Sequence, residues 1–267
     1  MNSPFKLDKA LVPMEKLLGL LPQAAQTYAQ ATPFPHIAID DFLDEDIAEQ
    51  LLSEFPGENA IPWKEYYDSR QKKQANENEN HMSALTRHVL YTLNSATFLS
   101  FLEQLTGIQN LIADPSLRGG GQHNIYRGGK LGVHVDFNKH ERFGLDRRLN
   151  LLLYLNKDWK EEYGGHIELW SPDMARCEKR YLPVFNRAVL FSTTESSYHG
   201  HPDPLQCPED RSRKSLALYY YSNGLEQAPD ENRHSTLFRE RPGEQAESPV
   251  QIKVQKFFRK WSKKLGG

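Results

Sequence analysis

The hydrophobic pattern of this chain changes period at about residue 111. Up to that point apolar residues recur at helical spacing. Beyond it they fall into short runs bounded by glycine and polar turns. The stretches 122–126, 131–137, 148–156, 166–170, 186–192 and 214–222 each read as a strand. Many short strands at close spacing predict a two-sheet barrel or jelly roll. The run 148–156 is the most apolar in the chain, and its leucines imply burial on both faces, as between two sheets. Each fully buried leucine contributes about 1.5–3 kcal/mol, so this strand is expected in the core.

The first half reads as helices. Leu7, Leu11, Met14, Leu17, Leu18 and Leu21 mark a helical segment within 1–32, interrupted by Pro13 and closed by Pro22. A short strand over 36–40 follows. A helix then starts at Asp44 and carries Ile47, Leu51, Leu52 and Phe55. Residues 57–82 are polar and read as a surface loop, either a lid or substrate-contacting segment or a merely solvated one. Two helices over 84–106 come next, the second capped by Ser95 and ended by Gly107. After the last strand, 225–248 is a polar linker. In 249–267, Val250, Val254, Phe257, Phe258, Trp261 and Leu265 recur at helical spacing among six Lys and Arg residues. That is a basic amphipathic helix. It is expected either to dock on the protein's own core or, over 249–265, to contact an anionic membrane surface. The expected organisation is an N-terminal helical region over 1–110, a β core over 111–224, and the linker and basic helix over 225–267.

Bulk properties narrow the function. The 267 residues carry a net charge of −2, so no global basic field points to nucleic acid. Cys177 and Cys207 are the only cysteines, too few for a disulfide framework. No apolar run reaches the length of a membrane span, and the N-terminus lacks a secretory pattern. The expected location is cytoplasmic, with the tail at the inner face of a membrane.

Chemistry enters at His134-Val135-Asp136. On a strand, residues two apart share a face, so this imidazole and carboxylate can grip one divalent metal. A second His completing the set would leave coordination positions open, as in non-haem Fe(II) oxygenases. His199 and His201 both follow the strand 186–192, and spacing alone does not choose between them. His199 is the favoured ligand, and His201, beside Pro202, is expected to be a supporting or surface residue. The last strand opens at Arg213, with Ser215 on the same face. A guanidinium facing into a barrel needs an anion, and its fork matches a carboxylate. Arg211, in the polar lead-in, is the alternative anchor.

These residues, together with Tyr154-Leu155-Asn156-Lys157-Asp158-Trp159 and the following Gly164-Gly165, resemble the 2-oxoglutarate/Fe(II)-dependent oxygenases of the prolyl 4-hydroxylase type. Pro33-Phe34-Pro35-His36-Ile37, with Asp40-Asp41-Phe42-Leu43, is similar to the lead-in of bacterial members. The resemblance implies a mainly β, α+β fold: a double-stranded β-helix of the jelly-roll or cupin kind, with helices packed on one sheet. It implies iron held by His134, Asp136 and His199. It also implies 2-oxoglutarate bound by Arg213, Tyr154 and Tyr126, with Ser215 beside them. O2 is the other cosubstrate, and ascorbate an optional addition. Asp136 is a carboxylate where a halogenase would need an open halide position, which disfavours halogenation.

The implied reaction is hydroxylation of an unactivated C–H bond as 2-oxoglutarate becomes succinate. The substrate is open between a peptide, which is favoured, and a small molecule, glycan or lipid-linked sugar. A non-catalytic metal-binding jelly roll is the alternative outside enzymes.

Overall fold

The computed structural model describes residues 10–114, 116–224 and 233–244, with the helical positions 252 and 254. The basic helix expected over 249–265 lies outside the described residues apart from those two positions. No helix among the described residues is long and apolar enough to cross a membrane.

The helices α1 (Met14–Gln30), α2 (Glu45–Ser53), α3 (Ala84–Leu93) and α4 (Ala96–Thr106) precede most of the strands. Helix α1 runs through Pro22 and is not closed by it. An interior proline costs roughly 3 kcal/mol, and tertiary packing overrides that local preference. Leu17, Ala24 and Tyr28 bury one face of the helix, and the Tyr28 hydroxyl shares a 2.7 Å hydrogen bond with Ser192 Oγ. Helices α3 and α4 are capped by Ser83 and Ser95, whose hydroxyls accept from the amides of Thr86 and Phe98. Gly107, at φ 73°, ends α4 in the left-handed region that glycine enters without steric cost.

The strands are β1 (His36–Ile39), β2 (Lys64–Asp68), β3 (Gln71–Asn76), β4 (Ile112–Ala113), β5 (Gly121–Tyr126), β6 (Lys130–Val135), β7 (Asp146–Tyr154), β8 (Ile167–Trp170), β9 (Cys177–Tyr181), β10 (Arg187–Ser192), β11 (His199–His201), β12 (Ser212–Ser222) and β13 (Leu237–Phe238). They pair antiparallel in the order β1-β10-β7-β12-β5-β3-β6-β11-β8-β9. β4 pairs with β12, β2 with β3, and β13 with β6. This is a double-stranded β-helix, and β3 carries the sheet from one layer to the other by pairing with both β5 and β6.

The helices cover the β10-β7-β12 layer. Leu149, Leu151 and Leu153 of β7 join Leu17, Val89, Leu102 and Leu218 in the main core. The alternate residues Leu152 and Tyr154 face the inside of the barrel, beside Ile167, Val189 and Phe191. The 148–156 run is thus buried on both faces, as its leucines imply. One of its neighbouring layers, however, is helical rather than a second sheet.

Two expectations are corrected. Residues 57–82 are not a bare surface loop. They contain the β2–β3 hairpin, which hydrogen-bonds to β5 and β6. Its strands look polar because the inward side chains Tyr66, Gln71 and Lys73 line a cavity rather than an apolar core. Residue 111 is not a boundary within the sheet either, since β1, β2 and β3 come from the N-terminal side of it.

Candidate metal and cosubstrate site

Strand pairing builds the site. His134 on β6 is the register partner of His199 on β11, and the ring centroids lie 4.5 Å apart. The next pair is His201 with Leu131, so Gly132 and Val133 together oppose Gly200 alone, a β-bulge beside the site. A Cβ on Gly200 would lie 2.8 Å from the carbonyl oxygens of both Leu131 and Gly132, so only glycine lets the two backbones meet here. Asp136, just past the end of β6, turns its carboxylate to both rings. Oδ1 is 3.5 Å from His134 Nε2, and Oδ2 is 3.4 Å from His199 Nε2. The three ligand atoms lie within 4.8 Å of one another, and no other group of this kind occurs among the described residues.

The tautomers suit a metal. His134 Nδ1 donates to the Gly132 carbonyl at 2.9 Å, and His199 Nδ1 donates to the Ser197 carbonyl at 2.9 Å. A carbonyl only accepts, so each Nδ1 carries the proton and each Nε2 turns a lone pair toward Asp136. Burial, then the neighbouring His199, lowers the pKa of His134, which keeps its ring neutral and able to ligate.

Asp136 is held in turn. Asn150 Nδ2 donates to its Oδ2 at 2.7 Å, and Arg147 Nη2 lies 3.0 Å from the same oxygen. Burial opposes ionisation of this carboxyl. The Arg147 guanidinium counters burial and holds it well below the usual carboxylate range. Arg147 also donates to Asn150 Oδ1 and stacks between Tyr219, 3.5 Å from the ring centroid, and Phe137, at 4.4 Å. Arg147 and Asn150 were not singled out from the sequence. The signal was a lone Asn at an inward position of the most apolar strand.

The three candidate ligands open onto a cavity of about 360 Å³ that also holds Arg213, Ser215, His201, His123 and Lys73. Arg213 is buried. Its Nε donates to the Gly165 carbonyl at 2.8 Å, and its Nη2 to the Tyr154 hydroxyl at 3.2 Å. Both partners are neutral, and no carboxylate pairs with this guanidinium among the described residues. Gly165, at φ 76°, makes room for it, since a Cβ there would meet Arg213 Cδ at 3.0 Å. A buried cation left without an anion fits a site that receives one. Tyr154 lies beneath Arg213 as expected from its parity, and Ser215 is its register partner on β12.

Three expectations change. Tyr126 does not line this cavity. In β5 the inward residues are His123 and Ile125, so Tyr126, one step on, points to the opposite face. There it receives a hydrogen bond from Asn124 at 3.0 Å and lines a separate surface pocket. Arg211 is no anchor, because it donates to the carbonyls of Lys157 and Asp158. His201 is not at the surface. It is 3% exposed and faces the cavity, two residues from His199 on the same strand.

Comparisons with known proteins agree with this architecture. Residues 121–221 match the family model described as the 2OG-Fe(II) oxygenase superfamily. A mouse protein named prolyl 3-hydroxylase OGFOD1 is 27% identical, over 78% of this chain and 38% of its own length. The chain thus spans well under half of that relative. A prolyl 4-hydroxylase from Pseudomonas putida has a similar fold, with TM-score 0.54, 19% identity, and coverage of 76% of this chain and 100% of its own. A prolyl hydroxylase from Trichoplax adhaerens, solved with a peptide of the hypoxia-inducible factor oxygen degradation domain, gives TM-score 0.53 and 15% identity. Coverage there is 78% of this chain and 92% of that one. The His134–Asp136–His199 group therefore sits within the part of the β-helix, residues 121–221, that matches the 2OG-Fe(II) oxygenase superfamily model.

Proposed function

We propose that this protein is an Fe(II)- and 2-oxoglutarate-dependent hydroxylase acting on a residue of a peptide. The observation that carries the reading is one cavity with two His and one Asp at its wall and an acid-free Arg213 within it. His134, Asp136 and His199 would hold iron. Arg213, steadied by Tyr154 and Gly165, would hold the far carboxylate of the cosubstrate, with Ser215 alongside. The bound iron and cosubstrate supply the oxidation that inserts one atom of O2 into a substrate C–H bond, while the other leaves in succinate and the cosubstrate's first carboxyl departs as CO2. The protein's part is orientation: Asn150 and Arg147 fix the Asp136 carboxylate, the backbone carbonyls of Gly132 and Ser197 fix both imidazoles, and Phe238, 5.4 Å from the His134 ring, shields that side from water.

The peptide reading is supported by the names of the mouse and Trichoplax relatives, both prolyl hydroxylases. The test is anaerobic addition of Fe(II) and 2-oxoglutarate, which should give a weak visible charge-transfer band, followed by succinate production with peptide substrate. No band and no succinate would remove the reading. Mass spectrometry of a host lacking the protein should show peptides that have lost the mass of one oxygen. Losses confined to glycans or small molecules would move the substrate class.

The reading extends to the tail. The alternation of Val254, Phe257, Phe258 and Trp261 with Lys and Arg over 249–265 supports peripheral contact with an anionic membrane from the cytoplasmic side. Deleting 249–267 should reduce binding to anionic liposomes. Unchanged binding would return the tail to an ordinary structural role.

A further inference from the structure

The deep end of the cavity holds more positive and donor groups than one carboxylate anchor needs. Arg213 on β12 is the register partner of Ile125 on β5. On the other side of Ile125 runs β3, where Lys73 sits one step before Gln74, the partner of Asn124, and faces the same cavity. Arg213 and Lys73 therefore flank Ile125 from two strands, with Cα atoms roughly 10 Å apart at the usual strand spacing. Lys73 lies 5.1 Å from the Tyr66 ring centroid, and no carboxylate pairs with its ammonium among the described residues. His201 reaches the same end from β11, one pleat deeper than His199. It is 3% exposed, and neither ring nitrogen has a hydrogen-bond partner. An imidazole buried with both nitrogens unpaired costs stability unless a ligand supplies the partner. A neutral imidazole carries one N–H donor, and this ring lines the cavity together with Arg213 and Lys73.

We propose that Lys73 and His201 complete, with Arg213, a three-sided cradle for the distal carboxylate of the dicarboxylate cosubstrate. The inference rests on the cosubstrate reading above and extends it. Selection of a dicarboxylate by its far end is then shared by three strands, and β3 brings part of the site from outside the region matched by the superfamily model. A carboxylate accepts several hydrogen bonds, so Arg213 Nη1, the Lys73 ammonium and a His201 N–H can be satisfied together.

The test is calorimetric titration of the full chain, loaded with Mn(II), using 2-oxoglutarate and 2-oxopentanoate. The second ligand keeps the metal-binding end and lacks the far carboxylate. Lys73→Met and His201→Leu should each weaken 2-oxoglutarate binding by about tenfold or more, the effect of losing one charged or buried hydrogen bond, and leave 2-oxopentanoate within about twofold of wild type. Lys73→Arg and His201→Gln, which keep a donor, should recover most of the loss and show that the fold is intact. Equal loss of both ligands, or no loss of 2-oxoglutarate, would overturn the cradle while leaving the cosubstrate reading in place. Failure of the wild type to bind 2-oxoglutarate would instead remove the cosubstrate reading itself.

Discussion

His134 and His199 face each other across β6 and β11 as register partners, and each is fixed in the same way, by an Nδ1 donor bond to the carbonyl two residues before it. The pairing sets the separation of the rings, and the carbonyls set which nitrogen is free. His199→Ala should therefore cost metal affinity more than the roughly 10–100-fold that loss of a supporting partner costs. His201→Ala should leave metal affinity near wild type, because its ring lies one pleat away. Titration with Mn(II) or Co(II) distinguishes them, and a greater loss in the His201 variant would reassign the ligand.

The Asp136 carboxylate depends on Arg147 and Asn150. Arg147→Met leaves a buried carboxylate without its cation and should destabilise the metal-free protein by about 3–5 kcal/mol in urea unfolding. A change below about 1 kcal/mol would mean that Arg147 contributes little beyond packing.

The same carboxyl gives a pH signature. Its folded pKa is depressed, so its stabilisation is present above the unfolded value of about 3.9 and is lost as pH falls through the folded value. In metal-free protein the stability gap between wild type and Asp136→Asn should narrow only below about pH 4. A gap that is flat through that range would contradict the depressed pKa.

Lys73 titrates in the opposite window. Burial, together with Arg213 and Arg147, outweighs the pull of Asp136 and brings its ammonium down to about 8. Between that value and the unfolded value of about 10.4 the unfolded chain holds more protons, so stability contributed here rises with pH. Tyr66 packs on its side chain, and Lys64 adds a further positive charge on β2. Denaturant unfolding of wild type minus Lys73→Met should show this rise above pH 8, and a level difference would place the side chain in water.

Phe238 joins β13 to the metal side of β6. It is the register partner of His134, and the Arg70 guanidinium stacks on its ring at 4.5 Å. Being half-buried, Phe238→Ala should cost about 1–2 kcal/mol, below the 3–5 kcal/mol of a fully buried Phe. Hydrogen exchange should quicken in 130–135 and not in β7 or β12. Uniform quickening would mean that the segment supports the whole barrel.

The elements and the chemical inventory were legible in the amino-acid order. The two-residue period put His134 and Asp136 on one face, the leucines of 148–156 marked the central strand, and Ser95 and Gly107 marked the ends of α4, because these are local consequences of backbone geometry. Long-range packing set which residues meet. It carried α1 through Pro22, since packing of Tyr28 overrides a local penalty. It turned Tyr126 away and His201 inward, since which face of a strand meets the cavity is set by long-range pairing. It also drew β3 into the barrel, where hydrogen bonds to β5 and β6 compensate a polar stretch that has no core of its own. Hydrophobic period records burial against apolar neighbours. A cavity wall is built from polar residues, and in sequence it reads as a loop until its partners are known.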